Sequence, residues 1–413
     1  MVFEDFQLSE DVQLAIKATG YTEPTPIQQS AIPLILQGRD VIGSAQTGTG
    51  KTAAFALPML TKLDRMPKSK LPRGLIIEPT RELALQVESA FRTFGRFSPL
   101  RVGVMYGGVG YGKQSEMLQK GMDVWVVTPG RALDYLERGE LSLKELEFVV
   151  LDEADRLLDM GFLPDVRRML EQCPPREKRQ TLLFSATIPP EIEGLVKWAM
   201  RDPETISIGM RRAPSEMVTH NLYPVANAQK FDLLHEMLEQ THYESVIIFC
   251  RMKIGADQVA SRLVAGGHKV AVLHSDRAQK EREDALAGFR EGRYEVMVAT
   301  DIAARGLDIA GVTHVINFDV PQHPEDYVHR IGRTGRAQKE GDAFTIFTAE
   351  DVNHVQAIER FIERPIPRVK LPGFNYFYTQ LFDLKEGQNL ERLKVSGGRS
   401  GKGYSYSSGK RRK

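Results

Sequence analysis

A glycine-rich segment near the N-terminus has the residue types that bind phosphate. Residues 45–52 read AQTGTGKT and continue from the apolar run VIGS. Between a strand and a helix, such a turn aims backbone N–H groups into one concavity that phosphate oxygens fill. Lys51 adds a positive charge at the β- and γ-phosphates of a nucleotide, and Thr52 offers a hydroxyl for Mg²⁺. The predicted phosphate-binding residues are Ala45, which stands where the common pattern has glycine, Gln46, Thr47, Gly48, Thr49, Gly50, Lys51 and Thr52.

An acidic tetrapeptide supplies the carboxylates that such a site needs. The apolar run 148–151 ends in Asp152-Glu153-Ala154-Asp155. The carboxyl ends of parallel strands meet at one edge of a sheet, so these carboxylates are expected beside the glycine-rich turn. Asp152 is then placed to hold Mg²⁺, and Glu153 to orient and deprotonate an attacking water. The two segments together predict hydrolysis of a nucleoside triphosphate.

Short apolar runs alternate with longer amphipathic stretches along the chain. Runs rich in Val and Ile are typical of strands buried on both faces. The predicted strands are 41–45, 75–77, 124–127, 148–151, 181–184, 246–249, 270–273, 296–299, 314–318 and 343–347. Helical patterns lie between them, for example at 82–94 and 255–263. This alternation favours βαβ units, and so an α/β fold with parallel sheets covered by helices.

The strands fall into two series, which predicts two domains in tandem. A polar stretch, GMRRAPSEM, separates the series, and we expect domains at 1–207 and 218–364 with a linker at 208–217. A C-terminal extension covers 365–413, and its aromatic-rich part, 371–382, is expected to pack on the second domain. From residue 391 onward the chain is basic and rich in Gly and Ser, which predicts a disordered tail.

Bulk composition sets limits on the class of protein. The chain has 413 residues, 42% of them hydrophobic, and a formal net charge of +1. That length suits two domains. The two cysteines, Cys173 and Cys250, are too few for a disulfide framework or a Cys-rich zinc site. The acidic N-terminus resembles no signal peptide, and no apolar stretch is long enough to span a membrane. A cytoplasmic protein is the expectation.

Residues 152–155 read DEAD, and the chain resembles the DEAD-box RNA helicases from about Phe3 to Phe347. The other matching segments are GYTEPTPIQ (20–28), PTRELA (79–84), GG (107–108), TPGR (128–131), SAT (185–187), TDIAARGLD (300–308) and HRIGRTGR (329–336). The pair Ser275-Asp276 departs from the usual Gly-Asp. The compact form is similar to the bacterial RhlE-like subgroup. The resemblance implies two RecA-like domains and an RNA-stimulated ATPase that uses ATP and Mg²⁺.

The resemblance also implies roles for individual residues. Phe3, Tyr21 and Gln28 would contact the adenine and Asp308 the ribose. Gln28 carries both a donor and an acceptor, as the adenine edge does. Phe3 could instead be a core aromatic, and Phe6 is a second candidate for the contact with adenine. The implied RNA-binding residues are Pro79, Thr80, Arg81, Gly107, Gly108, Thr128, Arg131, Gln279, Arg282 and Thr300. The implied residues for coupling between the domains are Asp155, Ser185, Thr187 and His329.

Three arginines near the end of the second domain follow at a spacing of three. On one helix Arg330, Arg333 and Arg336 would share a face, and their mutual repulsion implies an anion. RNA phosphate and the γ-phosphate of ATP are both candidates. The resemblance favours the γ-phosphate for Arg333 and Arg336, acting as arginine fingers with the catalytic residues Lys51, Asp152 and Glu153. Because the fingers lie on the other domain, hydrolysis should require closure.

The RNA-binding residues suit sugar and phosphate contacts, which predicts sequence-tolerant binding of single-stranded RNA and short duplexes. Two alternatives stay open: a DNA helicase of the same superfamily, and an ATP-gated RNA clamp whose main role is binding. The tail is either a solubility segment or a tether, with Tyr404 and Tyr406 able to stack on bases. Self-association through the tail and partners in ribosome assembly or RNA decay are also open.

Overall fold

The computed structural model describes residues 2–45, 48–65, 69, 71–208, 217–304, 312–335 and 340–383. These residues form two compact units, the first ending at Ile208 and the second beginning at Met217. Most of the predicted linker lies outside the described residues, so its borders stay a prediction. Each unit is built on an entirely parallel sheet, and the predicted α/β fold class is confirmed.

The first unit contains a seven-stranded sheet. Its strands are β1 (Val41–Ser44), β2 (Gly74–Ile77), β3 (Val102–Met105), β4 (Val124–Val127), β5 (Phe148–Leu151), β6 (Gln180–Ser185) and β7 (Glu204–Ser207). Their spatial order is β3-β4-β2-β5-β6-β1-β7. The helices are α1 (Glu10–Thr19), α2 (Pro26–Leu36), α3 (Lys51–Asp64), α4 (Arg81–Phe94), α5 (Gly112–Lys120), α6 (Pro129–Glu137), α7 (Ala154–Asp159), α8 (Leu163–Leu170) and α9 (Pro190–Ala199).

Two hydrophobic clusters cover the two faces of this sheet. In β1, Val41 belongs to one cluster and Ile42 to the other. In β2, Ile76 joins the first cluster, and its neighbours Leu75 and Ile77 join the second. Successive side chains of a strand point to opposite faces, so a strand covered on both sides needs apolar residues throughout. This requirement explains the near-continuous apolar runs.

The second unit contains a six-stranded sheet. Its strands are β8 (Val218–Pro224), β9 (Val246–Cys250), β10 (Val270–Leu273), β11 (Val296–Thr300), β12 (His314–Asn317) and β13 (Gly341–Phe347). Their spatial order is β10-β11-β9-β12-β13-β8. The helices are α10 (Lys230–Gln240), α11 (Lys253–Ala265), α12 (Gln279–Arg290), α13 (Asp301–Ala304), α14 (Pro324–Ile331) and α15 (Val352–Phe361).

Every predicted strand is present, and the three strands that the sequence did not reveal lie at sheet edges. They are β3, β7 and β8. An edge strand has a neighbour on one side only and tolerates polar residues, so its apolar pattern is weak. In β3 the run is also interrupted by Gly103, where a Cβ would overlap the Trp125 ring.

The aromatic segment after α15 packs on the second unit, as expected. Leu371, Phe374 and Tyr376 pack against its hydrophobic core. The Gln229 amide holds the segment from both sides, donating to the Asn375 carbonyl at 2.8 Å and accepting from the Phe377 N–H at 2.6 Å. The basic tail lies beyond the described part of the chain. None of the described helices combines the length and the apolarity that a membrane crossing requires.

Candidate nucleotide site and the segments around it

The glycine-rich turn leads from β1 into α3. Gly48 and Gly50 have φ of +85° and +91°, a region that residues with a Cβ adopt only under strain. A Cβ on Gly50 would also overlap the Gln28 amide. The turn therefore needs glycine at both positions. Gln46 and Thr47 fall in a gap of the described residues, so their predicted phosphate contacts stay a prediction.

Lys51 opens α3 and is almost fully buried. Its Nζ donates to Glu153 Oε1 at 2.8 Å, and the two side chains are 5% and 7% exposed. Burial opposes the charge on Lys51, but Glu153 and Asp152 outweigh it, and the pKa of Lys51 lies above its ordinary value. Glu153 has φ of +48° and ψ of +50°, a left-handed conformation that is costly for a residue other than glycine. Strain of this kind is concentrated at functional sites.

Asp152 and Glu78 follow neighbouring strands of the sheet. Ile77 of β2 lies beside Leu151 of β5, so the next residue of each strand lies at the same edge. Burial raises the pKa of Asp152 to about 7, with Lys51 opposing and Glu153 adding to the effect. Burial, followed by Asp152 and Glu153, raises the pKa of Glu78 well above its ordinary value.

Glu78 is a site residue that the sequence analysis missed. Its side chain is 0% exposed, and neither carboxylate oxygen has a hydrogen-bond partner. The sequence did offer one indication of Glu78, because this residue directly follows a buried strand and directly precedes the PTRELA segment. The buried carboxyl groups of Glu78, Asp152 and Glu153 provide hard oxygen donors, and a bound cation would favour their ionised forms. These properties fit Mg²⁺.

A cavity of about 470 Å³ opens beside the glycine-rich turn. Its lining includes five of the predicted nucleotide residues, together with Phe94; the five are Tyr21, Gln28, Gly48, Gly50 and Thr52. The Tyr21 ring is half exposed and lies 5.9 Å from the Phe94 ring, centre to centre. The volume falls within the usual range for small-molecule sites, roughly 300–1,000 Å³. The first unit therefore forms a nucleotide-sized cavity at the predicted place.

Gln28 links this cavity to the start of α2. Its Nε2 donates to the Gly50 carbonyl at 3.1 Å, and its Oε1 accepts from the Thr25 N–H at 3.0 Å. Gln28 is 3% exposed, so it is not an ordinary surface residue. Phe3 is also 3% exposed and packs edge-on against Phe6 in the core. Phe3 is not among the cavity-lining residues of the described chain, so its position matches the alternative of a core aromatic.

Asp155 connects the acidic tetrapeptide to the end of β6. Its carboxylate accepts hydrogen bonds from the Ala186 N–H, the Thr187 N–H and the Thr187 hydroxyl, at 3.1, 3.0 and 3.3 Å. The Asp155 N–H donates to Ser185 Oγ at 3.0 Å. The structure thus joins three of the predicted coupling residues in one buried network. These hydrogen bonds tie the acidic turn to the segment after β6.

The predicted RNA-binding segments of the first unit meet at one edge of the sheet. They follow β2, β3 and β4, which are adjacent strands. Thr80 caps α4 by accepting from the Leu83 N–H at 3.3 Å. The Arg81 guanidinium lies against Gly108, where a Cβ would overlap it. Thr128 precedes α6 as its N-cap residue.

The Arg131 side chain is held by contacts within the protein. It is 8% exposed, donates to the Val109 carbonyl at 2.8 Å and to Gln114 Oε1 at 3.3 Å, and lies over the Tyr111 ring. These contacts fix the loop that follows Gly107 and Gly108. In this structure Arg131 positions the loop, and direct RNA contact by its side chain stays a prediction.

In the second unit the predicted RNA-binding residues lie on separate elements. Gln279 and Arg282 are partly exposed and share one face of α12. Thr300, at the end of β11, is 8% exposed. His329 lies in the last turn of α14. Asp308 and Arg336 are not among the described residues.

The expectation of a shared helical face is wrong for Arg330 and Arg333. Helix α14 ends at Ile331, so Arg333 follows it. Arg330 is 2% exposed and binds Asp301 through two parallel hydrogen bonds of 2.6 Å. It also donates to Asn317 Oδ1 at 3.0 Å. Asp301 neutralises this guanidinium, so the charge on Arg330 does not require a bound anion. Arg333 is 4% exposed.

The fold and the site together define a class: P-loop ATPases with two RecA-like parallel-sheet domains. Two family models match, DEAD/DEAH box helicase over residues 25–195 and helicase conserved C-terminal domain over residues 229–338. The chain is 43% identical over 399 residues to the DEAD-box ATP-dependent RNA helicase CshA of Bacillus subtilis, covering 96% of this chain and 78% of that relative. It is 44% identical over 372 residues to CshA of Bacillus licheniformis, covering 90% of this chain and 76% of that relative.

The structure of S. cerevisiae Dbp5 bound to RNA and ADP BeF3 is similar with a TM-score of 0.79 at 32% identity. The match covers 89% of this chain and 95% of that chain. The chain belongs to the DEAD-box ATP-dependent RNA helicases, a family of ATP-hydrolysing enzymes. The RhlE-like subgroup stays a prediction.

Proposed function

We propose that this chain hydrolyses ATP when its two units close on single-stranded RNA, and that closure separates short RNA duplexes locally. The observation that carries the proposal is the buried Lys51–Glu153 ion pair of 2.8 Å at the acidic edge of the sheet. The relatives named as ATP-dependent RNA helicases and the RNA-bound Dbp5 structure support RNA as the polymer.

The ATP site uses residues of the first unit. In the proposed reaction Lys51 turns from Glu153 to the phosphates, and the released carboxylate accepts a proton from the attacking water. Thr52 and Asp152 would hold Mg²⁺, which neutralises phosphate charge when bound. Gln28 reads the adenine, and Tyr21 lies at the open side of the cavity.

RNA recognition is proposed through sugars and phosphates. Thr80, Arg81 and Thr128 lie near the N-termini of helices, where backbone N–H groups favour anions. Contacts of this kind fix the position of a strand without reading its bases. The 2′-hydroxyl would distinguish RNA from DNA. From the second unit Gln279, Arg282 and Thr300 would contribute.

Coupling is proposed through closure of the two units. Arg333 and Arg336 would then stabilise the γ-phosphate in the transition state, and Asp308 would meet the ribose. The network of Asp155 with Ser185 and Thr187 would transmit the nucleotide state, with His329 as its partner in the second unit. ATP and RNA both favour the closed state, so each increases the affinity for the other.

Steady-state ATPase measurements test this function. The native chain is assayed alone, with single-stranded RNA and with single-stranded DNA of the same sequence. We expect RNA to raise the rate at least about tenfold and DNA to have little effect. Equal stimulation by both polymers would contradict RNA specificity. A long residence on RNA without strand separation would instead support the clamp.

A chain without residues 391–413 tests the tail as a non-specific tether, and its RNA affinity should fall most at low salt.

A further inference from the structure

Three side chains of the second unit bring potential metal ligands together, far from the nucleotide residues in sequence. His235 and Glu239 lie on α10, and His268 lies in the turn after α11. One ligand atom from each residue comes within 4.8 Å of the other two. His235 and Glu239 are four residues apart and so share one face of the helix.

The orientation of His268 turns one ring nitrogen toward Glu239. Its Nδ1 lies 3.4 Å from Glu295 Oε1 and 3.2 Å from the Tyr243 hydroxyl. A bound metal would select the tautomer that carries the proton on Nδ1, beside Glu295, and keeps the lone pair on Nε2. This is the arrangement in which a carboxylate behind a histidine fixes the tautomer for metal binding.

One ring nitrogen of His268, Nε2, makes no hydrogen bond in the structure. The His268 side chain is 9% exposed, and Nε2 is buried without a hydrogen-bond partner. The nearest carboxylate oxygen, Glu239 Oε1, is 3.5 Å away, beyond hydrogen-bond range. Buried polar atoms are nearly always satisfied, so one that faces a carboxylate and a second imidazole indicates a missing ligand.

The His235 ring is held next to this nitrogen. Its plane is stacked on Phe231, with 10° between the rings, and stands at 85° to the His268 ring. A Cβ on Gly266 would lie 3.1 Å from His235 Cε1, so the ring packs against the turn. His235 Nδ1 is also buried without a hydrogen-bond partner. Two imidazoles are thus fixed by packing, whereas Glu239 is 56% exposed and able to move.

We propose that His235, Glu239 and His268 bind a divalent transition-metal ion of the zinc class. Two imidazoles and one carboxylate suit Zn²⁺, and Mg²⁺ and Ca²⁺ prefer all-oxygen sites. Zn–N distances are about 2.0–2.1 Å, which places ligand atoms of a tetrahedral ion about 3.3 Å apart. Glu239 Oε1 and His268 Nε2, 3.5 Å apart, are already close to this spacing. Water completes the coordination.

The bound ion links the end of α10 to the turn between α11 and β10. Next along α10, Gln240 Nε2 donates to the Pro372 carbonyl at 3.2 Å, so the C-terminal segment contacts the same helix end. The site uses no residue of the proposed ATP site. Its effect is therefore on the stability of the second unit.

Isothermal titration of the full-length, tag-free chain with ZnCl₂ tests the proposal. We expect one ion per chain, and a rise in the melting temperature of the second unit. His268→Gln and His235→Gln should each weaken binding at least about tenfold. Glu295→Gln, which removes the carboxylate behind His268, should weaken it about 10–100-fold. Co²⁺ should give visible absorption that the histidine variants lose.

The matched control is His242→Gln, because His242 is an exposed histidine three residues from Glu239 and outside the cluster. It should bind as the native chain does. Circular dichroism verifies that each variant is folded. The proposal is overturned if the native chain takes up no ion, or if folded His235→Gln/His268→Gln protein binds Zn²⁺ with native affinity.

Discussion

Lys51 Nζ lies 2.8 Å from Glu153 Oε1, and both side chains are nearly fully buried. The predicted phosphate-binding cation and the predicted general base therefore neutralise each other in the absence of nucleotide. A phosphate that attracts Lys51 also releases the Glu153 carboxylate. We infer that the base becomes available only when a nucleotide is in place, which limits reaction without substrate.

Replacing Glu153 by Gln should abolish turnover and preserve the site. The amide keeps the shape but cannot accept a proton, so the single-turnover hydrolysis rate should fall by about 10²–10⁴. ATP affinity, measured by titration with a fluorescent analogue, should stay within a few-fold. The exposed Glu140→Gln variant is the control. A Glu153→Gln rate close to native would remove Glu153 from the role of base.

Replacing Glu78 by Gln should stabilise the first unit. The carboxylate is buried without hydrogen bonds and close to the charges of Asp152 and Glu153. The raised pKa disfavours the ionised group only in the folded chain, so removal of the ionisable group should raise the free energy of unfolding at pH 8 by about 1–3 kcal/mol. Denaturant unfolding at pH 8 in the absence of nucleotide measures this. A loss of stability would mean that Glu78 is held by a favourable contact with Lys51 or Arg156.

Replacing Gln28 by Leu should lower the selectivity for ATP. The variant loses the bonds to the Gly50 carbonyl and the Thr25 N–H and the proposed contact with adenine. The ratio of kcat/KM for ATP over GTP should fall at least about tenfold, since a site built to hydrogen-bond one partner rejects others strongly. The exposed neighbour Gln29→Leu serves as control. An unchanged ratio would mean that Gln28 supports the glycine-rich turn and does not select the base.

Replacing Arg330 by Met should lower the free energy of unfolding of the second unit. The change removes the buried guanidinium that Asp301 and Asn317 bind, at a cost of up to about 3–5 kcal/mol. Thermal unfolding should show a clear drop in melting temperature, and Arg360→Met, on the exposed side of α15, should show little change. A stable Arg330→Met protein with defective ATPase would instead support a direct role of Arg330 at an anion.

The second unit should lose stability as the pH falls, because protonation of His220 is disfavoured in the folded chain. Its Nε2 accepts from Arg364 at 2.7 Å, and its Nδ1–H donates to the Tyr327 hydroxyl at 2.8 Å. Burial, aided by Arg364, lowers the pKa of His220 from 6.5 to about 4. The unfolded chain therefore binds the proton first as the pH falls below 6.5, and stability is lost by up to about 3 kcal/mol near pH 4.

The His220→Gln variant isolates this effect, because glutamine does not titrate. The difference in unfolding free energy between the native chain and this variant is measured from pH 8 to pH 4. The native chain should lose stability relative to the variant as the pH falls. A difference that is constant across this range would show that His220 titrates alike in both states.

The sequence by itself determined the fold class and the centre of the candidate site. Strands buried on both faces must be apolar throughout, so the central strands were visible as runs. The carboxyl edge of a parallel sheet collects whatever follows each strand, so Lys51, Asp152 and Glu153 were expected together. These conclusions depend on local composition and on one geometric rule for parallel sheets.

The tertiary structure decided what depends on contacts between distant residues. The two hydrogen bonds of Arg330 to Asp301 cross 29 residues, and no local pattern shows that the arginine is already neutralised. Glu78 became a site residue only because β2 lies next to β5 in the sheet. Packing places His235 beside His268, and Phe3 in the core rather than at the cavity. Strand order and packing decide which side chains contact each other. The spacing of residues along the sequence does not reveal these contacts.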